Sequence, residues 1–200
     1  MITVAWDVDD VLNDLMWAWF HQEWVPAHPE CPLHYADIRR NPPHEVLGIS
    51  ISDYLSSIDA FRISEKAGRL RPRLEVIDWL QSQGSSCLNV AVTARPTDSL
   101  PEMSHWLFRH FGSHIRALGI VPVRLKAGEP VHHRSKGEFL RWFGKIDVLV
   151  DDSQENIDSA ESSGVRGILF PQPWNSGNKT VQDTLHLLSE MVRNLSCNAG

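Results

Sequence analysis

The sequence predicts an α/β protein: a three-layer core around a mostly parallel five-stranded sheet, with a small helical insertion after the first strand. Three observations carry this. Short β-branched and apolar runs alternate with stretches of helical spacing, as βαβ units require. The runs are apolar without alternation, as strands covered on both faces are, and several end abruptly in polar or acidic residues.

The first strand is expected at residues 2–8, ITVAWDV, and the second at 87–94, CLNVAVTA. A third is expected at 119–125, GIVPVRL, a fourth at 147–150, DVLV, and a fifth at 165–170, VRGILF. Helix signals fall between them. Ser99 and Glu102 have the spacing of a capping box, with Met103, Trp106, Leu107 and Phe111 following at helical intervals and Gly112 where a helix should stop. Ser135 and Glu138 repeat the pattern, and Gly144 ends it. Ser153 can cap a short helix that stops at Gly164. A last helix over about 180–195 places Val181, Leu185, Leu188, Val192 and Leu195 on one face.

Residues 14–76 show no strand pattern and read as helices broken by Pro26, Pro29, Pro32, Pro42 and Pro43. They form the expected insertion, leaving 1–13 and 77–200 as the core. The stretch FRISEKAGRLRPR, with Arg62, Lys66, Arg69, Arg71 and Arg73, reads first as a solvated basic connection back to that core, with a role in binding substrate as the alternative. His132 and His133 are adjacent and point apart, which fits a solvated loop.

A net charge of −6 and a pI near 5.9 argue against a long nucleic acid as partner, because polyanion binding depends on many Lys and Arg. A small phosphorylated molecule is compatible, since a metal and a few local cations can hold it. Cys31, Cys87 and Cys197 form no C-x-x-C pair or disulfide framework, which suggests reduced thiols and a cytoplasmic setting. An acidic start and the lack of an apolar run of ~20 residues suggest neither a signal peptide nor a membrane span. No sequence feature sets an oligomeric state.

In an open parallel sheet, ligands bind beyond the carboxyl ends of the strands. Asp7, Asp9 and Asp10 lie there after strand one, Thr93 and Arg95 after strand two, and Asp151 and Asp152 after strand four. Lys136 begins the helix that precedes strand four. Acids, a hydroxyl and an ammonium converging on one edge suit Mg²⁺ and a phosphoryl group.

In that order, WDVDDVLND, VTAR, the Lys136 helix and LVDDSQENI resemble the four motifs of the haloacid dehalogenase superfamily, across the whole core. The resemblance implies a Rossmann-like core and Mg²⁺-dependent hydrolysis of phosphomonoesters. Asp7 would be the nucleophile, forming an aspartyl-phosphate, and Asp9 the general acid and then base. Thr93, Arg95 and Lys136 would bind substrate, Thr93 and Lys136 at the phosphoryl oxygens. Asp7, the Asp9 carbonyl and Asp152 would hold Mg²⁺, with Asp151 in or beside the coordination sphere. The second aspartate points to the phosphatase branch. Asp10 stands where relatives often have Gly.

Within the superfamily, DVDDVLND, the helical insertion, DDSQENI and FPQPWN are most similar to 5'(3')-deoxyribonucleotidases, which implies (deoxy)nucleoside monophosphates as substrates. Relatives commonly place a base-stacking aromatic where this chain has Leu15. The first predicted helix carries Trp17, Trp19, Phe20 and Trp24; Trp17 and Phe20, three apart, are the candidates to bind substrate at the site mouth, and the alternative is that all four only pack the insertion together and onto the core. Trp174 and Asn175 would close the pocket from the other side or form a turn. The alternatives are a phosphatase for a sugar phosphate or other metabolite, and a non-catalytic metal- or phosphate-binding protein on the same scaffold.

Overall fold

The chain is described by a computed structural model over residues 1–121, 123–175 and 179–198. Its sheet has five strands, all parallel: β1 (Thr3–Trp6), β2 (Leu88–Thr93), β3 (Ile115–Ile120), β4 (Val148–Asp151) and β5 (Arg166–Leu169), in the order β3-β2-β1-β4-β5. β1 is central, with Val4 paired to Asn89 on one side and to Val148 on the other. The β1, β2 and β4 side chains are buried on both faces, which is why those runs carry no alternation.

Between β1 and β2 lie α1 (Leu15–Trp19), a π-helical stretch (Phe20–Trp24), α2 (Val25–Ala27), α3 (His44–Leu47), α4 (Ile51–Arg62), α5 (Glu65–Gly68) and α6 (Leu74–Ser82). Then follow α7 (Leu100–Phe111), α8 (Lys136–Phe143), α9 (Gln154–Glu161) and α10 (Val181–Asn198). α8 and α9 cover one face, where Phe139, Leu140, Ile157 and Ala160 pack on Ala5, Val90, Val92 and Leu149. α6, α7 and α10 cover the other, and that cluster continues into the insertion through Leu15, Trp19, Ile58 and Phe61.

The insertion leaves and rejoins the core at one neck. Asn13 bridges Pro72, and Arg73 N–H donates to the Leu12 carbonyl at 2.9 Å. Further contacts bind it to the core: the Trp106 indole donates to the Leu70 carbonyl at 2.8 Å, and Arg124 makes two bonds to Asp59 at 2.7 and 2.8 Å.

The structure corrects three expectations. The third strand runs over Ile115–Ile120 rather than 119–125, so it begins soon after α7 ends. Within the predicted run, Pro122 lies outside the described residues, and a proline has no N–H for a ladder. The Ser99 capping box does not form: Ser99 ends a short 3-10 turn with ψ near 3°, outside the extended conformation of a cap, and its hydroxyl donates to the Pro96 carbonyl. Ser135 and Ser153 do cap their helices, accepting from Glu138 and Asn156 N–H. Finally, the basic stretch is not uniformly solvated: Arg62 and Arg73 are largely buried, while Arg69 is exposed.

Candidate active site

Because β1 is flanked by β2 and β4, the carboxyl ends of three neighbouring strands bring Asp7, Thr93 and Asp151 to one edge. Asp152 follows directly, and Lys136 enters from the first turn of α8. All five are buried. Lys136 Nζ donates to Asp7 Oδ1 at 2.7 Å and to Asp151 Oδ2 at 2.6 Å. Asp151 Oδ1 accepts from Ser153 N–H at 2.9 Å and Asn156 Nδ2 at 3.0 Å, so both its oxygens are engaged. Asp152 Oδ2 accepts from the Trp174 indole at 2.8 Å, and its carbonyl accepts from Asn175 Nδ2 at 2.9 Å. Trp174 and Asn175 therefore support an acid as well as shaping a turn.

One carboxylate oxygen from each of Asp7, Asp151 and Asp152 lies within 4.8 Å of the other two. Burial pushes the Asp7 and Asp152 carboxyls up, and mutual repulsion adds to it; for Asp152 the result is about 8. Burial alone would lower the Lys136 pKa, but Asp151 and Asp7 more than offset it and keep the ammonium charged. Three buried carboxylates facing one ammonium make an all-oxygen, electron-rich cluster. That donor set fits a hard divalent cation such as Mg²⁺.

Asp9 stands apart from this trio. Arg95 Nε and Nη2 hold its two oxygens at 2.7 and 2.6 Å, and Arg62 Nε approaches to 3.9 Å. Burial would raise the Asp9 carboxyl, yet the Arg95 pair outweighs it and holds Asp9 below the usual carboxylate range. Arg95 thus faces the second aspartate of the first motif. Asp10 has φ +62°, a left-handed conformation in which Gly is at ease and Asp is tolerated. Its carboxylate accepts from Met16 N–H at 2.8 Å, so it serves the first turn of α1, which Asp14 does not cap. Burial, then Asp9, pushes the Asp10 carboxyl up to about 8.

These groups surround a cavity of about 160 Å³. Asp7, Asp9, Thr93, Arg95, Lys136 and Asp152 form its polar floor; Leu15, Met16, Tyr54, Ile58 and Arg62 from the insertion form its roof. A second cavity of about 370 Å³ adjoins it at Asn41, Asp152 and Ser153, with Trp174 and Asn175 in its wall.

Trp17 and Phe20 do not line the cavity. At 3.6 residues per turn they sit about 60° apart, and the edge of the buried arc falls between them. Phe20 goes into the core, while Trp17 is 46% exposed and stacks on His21. Trp19 and Trp24 are buried in the packing of the insertion. The roof comes instead from Tyr54, Ile58 and Arg62, four apart on one face of α4, a spacing visible in the sequence but hidden by its mixed chemistry. His133 packs against Phe139 and Trp142, and His132 is exposed.

No known family profile matches the chain, and no curated protein matches it by sequence. Solved structures do match. A haloacid dehalogenase-like hydrolase from Streptococcus pneumoniae aligns over 93% of this chain and 90% of its own, with a TM-score of 0.62 and 16% identity. A Thermotoga maritima protein assigned as a β-phosphoglucomutase aligns over 95% and 99%, with a TM-score of 0.56 and 16% identity. YfnB of Bacillus subtilis, assigned as a HAD-hydrolase and solved bound to magnesium, aligns over 96% and 98%, with a TM-score of 0.59 and 10% identity. The chain therefore has the fold of the haloacid dehalogenase-like hydrolases. The finer likeness to deoxyribonucleotidases rests on the motif residues alone.

Proposed function

We propose that this protein is a Mg²⁺-dependent phosphomonoester hydrolase that works through an aspartyl-phosphate on Asp7. The observation that supports it most directly is the Lys136 bridge between Asp7 and Asp151, with Asp152 beside them, at the carboxyl edge of a parallel sheet. Asp7, the Asp9 backbone carbonyl and Asp152 would hold the metal, while Asp151, whose oxygens are already engaged, orients Lys136. The bound ion would supply electrostatic stabilisation of the phosphoryl oxygens.

An Asp7 oxygen attacks phosphorus and the bond to the leaving oxygen breaks, with a proton delivered from Asp9. Water then attacks phosphorus, Asp9 takes its proton, and Asp7 and inorganic phosphate are released. Thr93 and Lys136 hold phosphoryl oxygens. The resting geometry matches the second half, because Arg95 keeps Asp9 ionised as a base must be. For the first half, Asp9 must leave Arg95 and take up a proton from solvent, which it then gives to the leaving oxygen.

Residues 14–76 act as a cap that selects the leaving group. We read the substrate as a (deoxy)nucleoside monophosphate, because Leu15, Met16, Tyr54 and Ile58 give the roof beside Arg62 an apolar and aromatic stretch that suits a nucleobase better than a polyol. The three free cysteines suit a reducing compartment such as the cytoplasm, and no helix among the described residues is long and apolar enough to cross a membrane.

The mechanism is tested with an aryl phosphate and Mg²⁺. Asp7→Asn should abolish phosphate release, and Asp9→Asn should lower turnover about 10²-fold or more. Near-full activity of Asp7→Asn would overturn the mechanism. A panel of nucleoside and sugar monophosphates tests the substrate: higher kcat/KM on sugar phosphates would overturn the nucleotide reading alone.

A further inference from the structure

Four buried side-chain nitrogens among the described residues have no hydrogen-bond partner: Trp24 Nε1, His44 Nδ1, Arg62 Nε and Arg73 Nε. Of these residues, only Arg62 lines the central cavity. A buried, charged N–H with no acceptor is disfavoured unless a ligand oxygen completes it.

The charges around Arg62 point the same way. Asp59 is shared: Arg62 Nη1 donates to it at 2.9 Å, and Arg124 grips both its oxygens from the core side. Asp9 is shared as well, held at two points by Arg95 with Arg62 Nε at 3.9 Å. Along Arg124, Asp59, Arg62, Asp9 and Arg95, three cations alternate with two anions. Each anion is held at both oxygens by an outer arginine, so the middle arginine, which lines the cavity, shares its acids instead of owning one. In the resting geometry Arg95 is bonded to both Asp9 oxygens, so Lys136 and Arg62 are the cations on this wall that can first meet an incoming dianion. Lys136 is bonded to two carboxylates, whereas Arg62 is bonded to one, Asp59, and stands 3.9 Å from the other, Asp9.

We propose that Arg62 is the insertion's phosphoryl-binding residue, its free guanidinium edge taking an oxygen of the substrate's phosphoryl group, and that Asp59 positions it. The inference rests on reading this cavity as a phosphoryl site. A planar fork fixed at one nitrogen by Asp59 keeps its remaining donors aimed, which a mobile lysine would not. It also makes the docked insertion, through the Arg124–Asp59 pair, a condition for binding the reacting group and not only the leaving group.

The test is equilibrium binding of inorganic phosphate to the full chain with Mg²⁺ present, alongside aryl phosphate turnover. Arg62→Ala should weaken phosphate binding roughly 10- to 100-fold and raise KM. Asp59→Asn should give a smaller loss in the same direction, with the Mg²⁺ concentration for half-maximal binding unchanged. Arg69→Ala, which removes an exposed cation just after α5, should bind phosphate as the wild type does. Should Arg62→Ala fail to fold, Arg62→Gln keeps the stem, removes the charge and decides by the same criterion. Wild-type affinity in the Arg62 variant, or an equal loss in Arg69→Ala, overturns the proposal. Hydrolysis with Arg62-independent phosphate binding overturns this inference and leaves the hydrolase. Arg62-dependent binding without hydrolysis does the reverse, and absence of phosphate binding by the wild type overturns the inference whatever the turnover.

Discussion

Asp10 shows how a single residue can look catalytic and serve the backbone. It follows two acids at the end of β1, yet its carboxylate accepts from Met16 N–H, and its left-handed φ turns the chain from strand towards α1. Its carboxyl is pushed up to about 8, against roughly 3.9 in an unfolded chain. Between those values the folded state keeps a proton that the unfolded state releases. Stability from this group is therefore fully present below pH ~4 and is lost as pH rises through ~8. Asp10→Asn tolerates the same φ and keeps an oxygen acceptor but has no proton to lose. In EDTA it should be more stable than the wild type at pH 8, by an amount of order 1 kcal/mol, with a shallower decline from pH 5.5 to 8. Urea unfolding at the two pH values measures this; parallel profiles would show that Asp10 is ionised in the fold.

Among the elements, α8 and α9 make the approach that places Lys136. A Cβ added to Gly137 would lie 2.2 Å from the Ser159 carbonyl, so the helices touch where Lys136 begins its reach to Asp7 and Asp151. Gly137→Ala must push them apart. We expect it to cost about 1–3 kcal/mol of stability in denaturant unfolding and to lower kcat as Lys136 is displaced. Unchanged stability and turnover would mean the helices separate freely. The start of the insertion teaches the opposite lesson about spacing. Trp17 and Phe20 share a helix face only loosely, and packing of the π-helical stretch sends one to solvent and the other into the core.

For the whole molecule, the main tension is charge. Asp7, Asp151 and Asp152 are buried together with one lysine, an arrangement that a divalent cation would relieve. Mg²⁺ at about 100 times its Kd should add about 2.7 kcal/mol to stability. For a chain of 200 residues this is a rise in Tm of roughly 5–10 °C over the EDTA-treated protein. Asp152→Asn should lose most of that increment. Equal shifts in wild type and variant would place the ion elsewhere.

The sequence by itself determined the parallel sheet and the polar edge. Runs such as TVAW and VLVD are apolar on both faces because helices cover both, and chain topology then sends their carboxyl ends to one side. Asp7, Thr93, Lys136, Asp151 and Asp152 could be named from their places after those strands and at that helix start, since a strand end or a first turn fixes where a residue must be. Only the tertiary structure decided that Arg95 holds Asp9, that Asp10 serves α1, that Trp174 supports Asp152, and that α4 rather than α1 supplies the aromatic and cationic part of the roof. Those outcomes depend on where the insertion docks. Docking is set by many weak contacts distant in sequence, such as Arg124 with Asp59 and Trp106 with Leu70, and no local period records them.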